Sequence, residues 1–321
     1  MGAKKHIPKF AEHWACQLGS NPKSIIRLRG GINNQVYRCG HWVIKGYEPA
    51  TPGQRDRMQA EVEFLQFTAH AAPHFTPALI QVDHERRCVV LEHLEGETFP
   101  EGVPPSEAAI AEAVEFFRQL NADHRFARRI VRQNAAEGFL SLHGHLNNVR
   151  ERLEKMSCDH FDPRLRPQAE TLIRKIHHEW AEAKKRTNRM IYQGTVTDEL
   201  DPDLCCISPS DFGFHNAIRT AKNTYFIDFE FAGWDDPAKA ALDFILQPRV
   251  PIRKPESPLL GALPRKQRLS IKHRCIAIGP ILKIKWACII LAVLQPGRLE
   301  QIMSHMPEQS STALIRDRLS G

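Results

Sequence analysis

SPSDFGFHNAIRTAKNTYFIDFEF, residues 208–231, sets Asp211 and Asn216 five apart and follows them about a dozen residues later with Asp228 and Glu230. Phosphoryl transfer needs a carboxylate that orients the attacking hydroxyl and takes its proton. It also needs oxygen ligands for the Mg²⁺ that neutralises a triphosphate. Asp-x4-Asn followed by an acidic strand supplies both. Ile227, Phe229 and Phe231 alternate with Asp228 and Glu230, so a strand's period of two places both carboxylates on one face. Two carboxylates on one face repel unless a cation lies near them, and the spacing therefore predicts a metal site. A merely solvated strand would explain Asp228 alone, but not Asp228 together with Asp211 and Asn216 at this spacing.

Upstream, RGGINNQVYRCGHWVIKGY, residues 29–47, puts Gly30 and Gly31 between strands and Lys45 at the end of the next hairpin. Glycines let a backbone approach phosphate oxygens, and a lysine can bridge them as a point charge. By themselves these residues also describe an ordinary turn and a solvent-facing lysine. Glu61 sharpens the reading. It sits three residues after Met58 and four before Leu65, on the apolar face of a helix, where an unpaired carboxylate is costly. Lys45 is the natural partner, and a Lys–Glu pair of this kind holds nucleotide phosphates in kinases.

Around these motifs the chain is ordinary globular material. It has 321 residues and a mass of 36.6 kDa, with 42% hydrophobic and 25% charged residues. That excludes disorder, a collagen repeat and a small disulfide-stapled scaffold, and allows one large domain or two lobes. Ile276 to Gln295 is apolar but carries Pro280, Lys283 and Lys285, so no membrane span is expected and the protein reads as soluble. The eight cysteines form no CxxC pair and the N-terminus has no apolar signal core, which points to a reducing cytoplasm. The net charge of +7 is concentrated late in the chain. Residues 237–321 hold 14 Lys and Arg against 5 Asp and Glu, ten of the cations within 249–285. Such a run either solvates a surface or draws in an anion.

The order of predicted elements is also informative. Strands are expected at Ser24–Arg29, Val36–Cys39 and His41–Lys45, with a tight turn at Gly40. A helix follows over Arg55–Ala71, then a strand pair at Ala78–Val82 and Cys88–Leu91. Glu95–Pro105, rich in Gly and Pro, is the candidate boundary. Beyond it Ser106 caps a helix whose Ile110, Val114, Phe117 and Leu120 form one stripe, and helical character continues over Leu140–Met156 and Pro167–Lys185. Thr224–Phe231 reads as a strand, and Asp236-Pro237 starts a helix to Leu246. The expected architecture is α+β, with residues 1–95 as a small antiparallel sheet plus one helix and 96–321 as a mainly helical part.

This order of parts resembles the aminoglycoside phosphotransferase and choline kinase-like family, a branch of the protein-kinase-like fold, over most of residues 24–246. The family's GGxxNxxY loop is matched by Gly30, Gly31, Asn34 and Tyr37, its ATP lysine by Lys45 and its helix glutamate by Glu61. Leu91-Glu92-His93-Leu94-Glu95-Gly96 is similar to its hinge, whose backbone holds adenine, which assigns Glu92 and Leu94 to the nucleotide. HGDxxxxN is matched at Asp211 and Asn216, and the DxE segment at Asp228 and Glu230. The resemblance implies a bilobal enzyme with an antiparallel-sheet N-lobe and a mainly helical C-lobe, using ATP and Mg²⁺ to phosphorylate a hydroxyl of a small molecule. It implies Asp211 as catalytic base, Asn216 and Asp228 on Mg²⁺, Glu230 near the metal, and Asp243 as a structural support. SDFGFHN with DFEFAGWDDPAK is further similar to a bacterial subgroup of phosphotransferases, some of which accompany surface-polysaccharide genes.

One departure stands out. Pro209-Ser210 replaces the family's His-Gly before the catalytic aspartate, so the histidine that braces the loop is missing. That leaves open a nucleotide-binding pseudokinase acting as a scaffold. An anion binder using 249–285 is a third reading, with nucleic acid a disfavoured partner. His143-x-His145 and His177-His178 have no Cys or carboxylate at zinc-like spacing, and no G-x-S-x-G elbow supports acyl chemistry at Ser208 or Ser210. Trp234 either borders an acceptor pocket or packs beneath the loop. Trp286, with Ile289, Ile290 and Leu294, reads as a buried helix face.

Overall fold

The structure is a computed structural model, which describes residues 7–28, 34–305, 311, 314, 315 and 318. Contacts group the chain into two compact units that interleave along the sequence. One holds residues 1–136, 206–234 and 248–253, and the other 137–205, 235–247 and 254–321.

The first unit opens with helix α1 (Lys9–Gln17) and an antiparallel sheet of β1 (Ile26–Arg27), β2 (Asn34–Cys39), β3 (Trp42–Tyr47), β4 (Leu79–Asp83) and β5 (Cys88–Glu92), in the order β1-β2-β3-β5-β4. Cys39 pairs with Trp42, leaving a two-residue loop. Gly40 occupies its first position at φ +60, a backbone that glycine adopts without a Cβ clash and that suits the twist of the flanking strands.

Between β3 and β4 runs α2 (Arg57–Ala71). Asp56 caps it by accepting the Gln59 amide at 3.1 Å and is itself held by the two terminal guanidinium nitrogens of Arg87. The cap excludes Arg55 from the helix, two residues later than its expected start. Burial on nearly all sides of α2, including Met58, Glu61, Phe64, Leu65 and Thr68, shows that this helix is enclosed rather than laid on a surface.

After β6 (Glu97–Thr98) come α3 (Glu107–Leu120), capped by Ser106 as expected, and α4 (His124–Ile130). The chain returns to this unit with β7 (Cys206–Ser208), β8 (Ala217–Arg219), β9 (Thr224–Phe226) and β10 (Gly233–Asp235), whose last residue falls in the other unit. β6, β8 and β9 form a three-stranded sheet, and β7 pairs with β10. An aromatic cluster fills the space among these pieces. Phe116 of α3 stacks on Phe226 of β9 at 5.0 Å between centroids, and Phe212, Phe229 and Phe64 close around them.

The second unit contains α5 (Leu142–Glu154), α6 (Arg166–Tyr192), α7 (Pro237–Leu246), α8 (Arg265–Ile290) and α9 (Pro296–His305). Its apolar core joins Leu146, Val149 and Leu153 of α5, Ala169, Ile176 and Ala183 of α6, and Ile281, Ile284 and Cys288 of α8. Asp236 caps α7 with Pro237 at its first position, as the sequence predicts. Among the described residues no helix is long and apolar enough to cross a membrane. Four cations of the basic run 249–285 stand in ion pairs. Arg274 is buried on Asp236 and Lys285 on Asp243, while Arg249 pairs with Glu101 and Lys272 with Glu256.

Candidate active site

Lys45 lies in β3 opposite Val36 and Val89, and its ammonium is buried. It donates to Glu61 Oε2 at 2.6 Å and to Asp228 Oδ1 at 2.5 Å. Tyr47, two residues along and therefore on the same face of the strand, donates its hydroxyl to the same Glu61 oxygen at 2.6 Å. Burial acts against the lysine's charge, but Asp228, Glu61 and Glu230 outweigh it and hold Nζ above the usual lysine range. Burial, and then Glu61, push the Tyr47 hydroxyl well up, so it remains a donor. The buried carboxylate predicted to need a cation has found one, with a phenol beside it.

Asp228 departs from the sequence reading. The strand ends at Phe226, and Asp228 sits at φ +67, a left-handed backbone that aspartate tolerates better than most residues. Phe229 explains the turn. Its ring packs 4.6 Å from Phe64 in the aromatic cluster, and drawing it inward breaks the pleat. A turn rather than strand alternation therefore brings Asp228 and Glu230 to the same lysine. Asp228 is about one-third exposed, whereas Glu230 is buried and accepts a hydrogen bond from the Asn34 side chain at the start of β2. Burial, and next the Asp228 charge, lift the Glu230 carboxyl above its ordinary range, against Lys45 and Asn34. Arg55 fixes the backbone beyond. Its Nε donates to Glu230 O at 3.0 Å, and its other two nitrogens donate to the carbonyls of Asn134 and Ala232.

The loop after β7 presents Asp211. Ser210 stands at φ +68, where the resembling family has glycine. Its amide donates to Ser208 Oγ at 2.9 Å and its hydroxyl to Ala136 O at 3.0 Å. Asp211 Oδ2 accepts from Asn216 Nδ2 at 3.1 Å, and the same nitrogen reaches Asp211 O at 3.1 Å. His215 Nε2 lies 3.1 Å from Asp211 Oδ1. Ile227 N donates to Asn216 O at 2.9 Å just beyond the β8–β9 ladder, setting Asn216 opposite Ile227, the neighbour of Asp228. With its amide nitrogen spent on Asp211, Asn216 has its oxygen to offer a cation.

Asn216 and Asp228 present hard oxygens of the kind Mg²⁺ takes. Among the described residues no group of three His, Cys, Asp or Glu forms an all-protein metal cage. Magnesium held by one or two protein ligands and phosphate oxygens needs no such cage, so the residues fit that ion.

Lys45, Glu61, Asp211, Asn216, Asp228, Glu230 and Asn34 all belong to the first unit. Gly30 and Gly31 lie outside the described residues. In the segment 91–96, the Glu92 amide donates to Ala78 O and the His93 amide to His41 O. The Leu94 amide has no protein acceptor among the described residues. Trp234 resolves toward packing. Its indole donates to Val131 O at 2.9 Å, and Arg128 of α4 covers its ring. Asp243, in the second unit, is held by Lys285, Lys239 and Trp286. Sequence reasoning passed over Tyr47, Arg55 and the bond from His215 to Asp211. The period of two from Lys45 to Tyr47 was the one available signal.

A profile of the phosphotransferase enzyme family matches residues 24–244. No curated protein matches the chain. Among solved structures it is similar to APH(2")-IIa in its ternary complex with streptomycin and ATP, at 13% identity and a TM-score of 0.57, covering 98% of this chain and 99% of that one. It is also similar to spectinomycin phosphotransferase, APH(9)-Ia, in complex with ADP and spectinomycin, at 12% identity and 0.55, covering 92% and 88%. A choline/ethanolamine kinase family protein from Mesorhizobium loti aligns at 16% identity and 0.51, covering 96% and 92%. Identities this low speak for the fold, which is α+β, bilobal and protein-kinase-like, with an antiparallel sheet first and mainly helices after it. On the strength of the profile over residues 24–244, the chain belongs to the phosphotransferase enzyme family.

Proposed function

We propose that the protein is a small-molecule kinase that transfers the γ-phosphate of ATP to a hydroxyl of a sugar, an amino alcohol or an aminoglycoside-like acceptor. Residues 1–95 serve as the nucleotide-binding lobe, and 96–321 carry the catalytic loop, the metal site and the acceptor pocket. The observation that carries the reading is a continuous set of contacts. Glu61 holds Lys45, Lys45 holds Asp228, Ile227 beside Asp228 donates its amide to Asn216 O, and Asn216 holds Asp211.

In this reading Gly30, Gly31 and Asn34 cover the triphosphate, Lys45 steadied by Glu61 holds it, and the Leu94 amide meets the base beside Glu92. Asn216 and Asp228 would hold Mg²⁺, with Glu230 as an accessory group near it. Bound there, the ion would neutralise the triphosphate oxygens. Asp211 aligns the acceptor hydroxyl. As the new O–P bond forms and the bond from the γ-phosphorus to the bridging oxygen of ADP breaks, Asp211 takes the hydroxyl proton. Placement and electrostatics supply most of the acceleration.

The alternative, a nucleotide-binding pseudokinase, draws on Pro209-Ser210 in place of His-Gly. An ADP-release screen across hydroxylated metabolites and aminoglycosides separates the two, with Asp211→Asn as the blank. The substitution is expected to abolish transfer and leave ATP affinity within a few fold. Nucleotide binding with no acceptor-stimulated ADP release from the wild-type protein would favour the scaffold.

A further inference from the structure

We propose that His215 is the positioning residue for Asp211, replacing from inside the loop the bracing histidine absent at position 209; this rests on the kinase reading. Its Nε2 lies 3.1 Å from Asp211 Oδ1, while Asn216 takes Oδ2 at the same distance. A carboxylate is acceptor-only, so the imidazole proton sits on Nε2. A donor on each oxygen sets the plane of the carboxylate, in a side chain that is 38% exposed.

The burial of the ring favours this role over simple packing. The His215 side chain is only 6% exposed, and its Nδ1 is buried with no hydrogen-bond partner among the described residues. An orphaned acceptor is costly, and a phenylalanine would fill the same volume without it. The single bond the ring makes is to Asp211, so that bond is what the imidazole adds. The i, i+4 spacing across the turn Phe214–Asn216 gives the donor its reach. Phe214, buried beside Phe99 and Phe226, anchors the turn.

The test compares His215→Phe, which keeps volume without a donor, with His215→Gln, whose amide nitrogen reaches about as far as Nε2. Each variant is crystallised, its melting temperature is measured, and kcat and KM are determined with the acceptor found by the ADP-release screen. His215→Phe is expected to fold as stably as the wild type, to lower kcat by about ten- to a hundredfold with KM for ATP little changed, and to let the Asp211 carboxylate rotate. His215→Gln is expected to recover most of the loss and the orientation. If His215→Phe does not fold, His215→Asn replaces it, since its amide matches Nδ1 and falls short of Asp211. A non-bonding variant with kcat within twofold of the wild type, or with Asp211 unmoved, overturns the proposal. So does a glutamine variant as slow as the non-bonding one. Should the wild-type protein transfer phosphate to nothing, the kinase reading falls. The crystal structures then decide the positioning role alone.

Discussion

Ser210 pays for its place with a backbone that serine seldom adopts. At φ +68 its Cβ crowds the following carbonyl, at a cost of about 1–2 kcal/mol, and the hydroxyl bond to Ala136 O offsets about 1 kcal/mol of it. The usual order of substitution is therefore expected to invert. Ser210→Ala keeps the strain and loses the bond, and should unfold about 1 kcal/mol more easily than Ser210→Gly in urea titrations. Equal or greater stability for the alanine variant would refute that account. Residues of this kind divide by what a sequence can show. Glu61 was legible because a carboxylate on an apolar helix face demands a cation, and Lys45 was the basic residue placed to answer. Tyr47 and His215 were not, because their partners depend on which side of a strand or turn the backbone exposes, and many other tyrosine and histidine positions would satisfy the same pattern.

Elements hold the two aspartates in place through the residues that follow them. Phe212 and Phe229, each next to a site aspartate, plant their rings in the cluster formed with Phe64 of α2, Phe116 of α3 and Phe226 of β9. Phe229 is 1% exposed, so Phe229→Ala should cost about 3–5 kcal/mol, read from the denaturation midpoint, and should free Asp228 from its turn. A loss below about 1 kcal/mol would show that the cluster closes over the gap. The same packing explains where element-level reading stopped. Side-chain caps at Ser106 and Asp236 are local and were found. The end of β9 was missed because alternation predicted a pleat through Phe231, and the pull of the Phe229 ring outweighs strand propensity there. The start of α2 was placed two residues early because Asp56, not Arg55, makes the cap, leaving Arg55 to clamp three carbonyls that no short-range pattern reveals.

Across the whole molecule, the charge balance that composition reports as a late basic excess is partly spent on buried pairs. Asp236 lies against His145 and Arg274. Asp243 lies against Lys285 and Lys239. Burial raises both carboxyls, but these partners outweigh it and hold them below the ordinary range; Asp235, lifted by burial, works in the opposite sense. The unfolded chain takes up protons near pH 3.9, where folded Asp236 and Asp243 are still ionised. Their stabilisation is thus whole above that value and is lost as pH falls toward the depressed folded values. The melting temperature should drop steeply below about pH 4. In Asp243→Asn it should be lower at pH 7, by the equivalent of about 3–5 kcal/mol, with a shallower acid slope. An unchanged slope would remove Asp243 from the account. The first unit's interrupted sequence also bears on how the protein is made. Its sheet, α2 and α3 leave the ribosome before residues 137–205, and the segment 206–234 that carries both site aspartates emerges only afterwards. At about 5–20 residues per second that delay is roughly 3 to 14 s. Phe226 and Phe229 follow Phe116 by more than a hundred residues, so its ring and that of Phe64 wait roughly 6 to 23 s without them, an opening through which a nascent chain can be captured by chaperones or lost to aggregation.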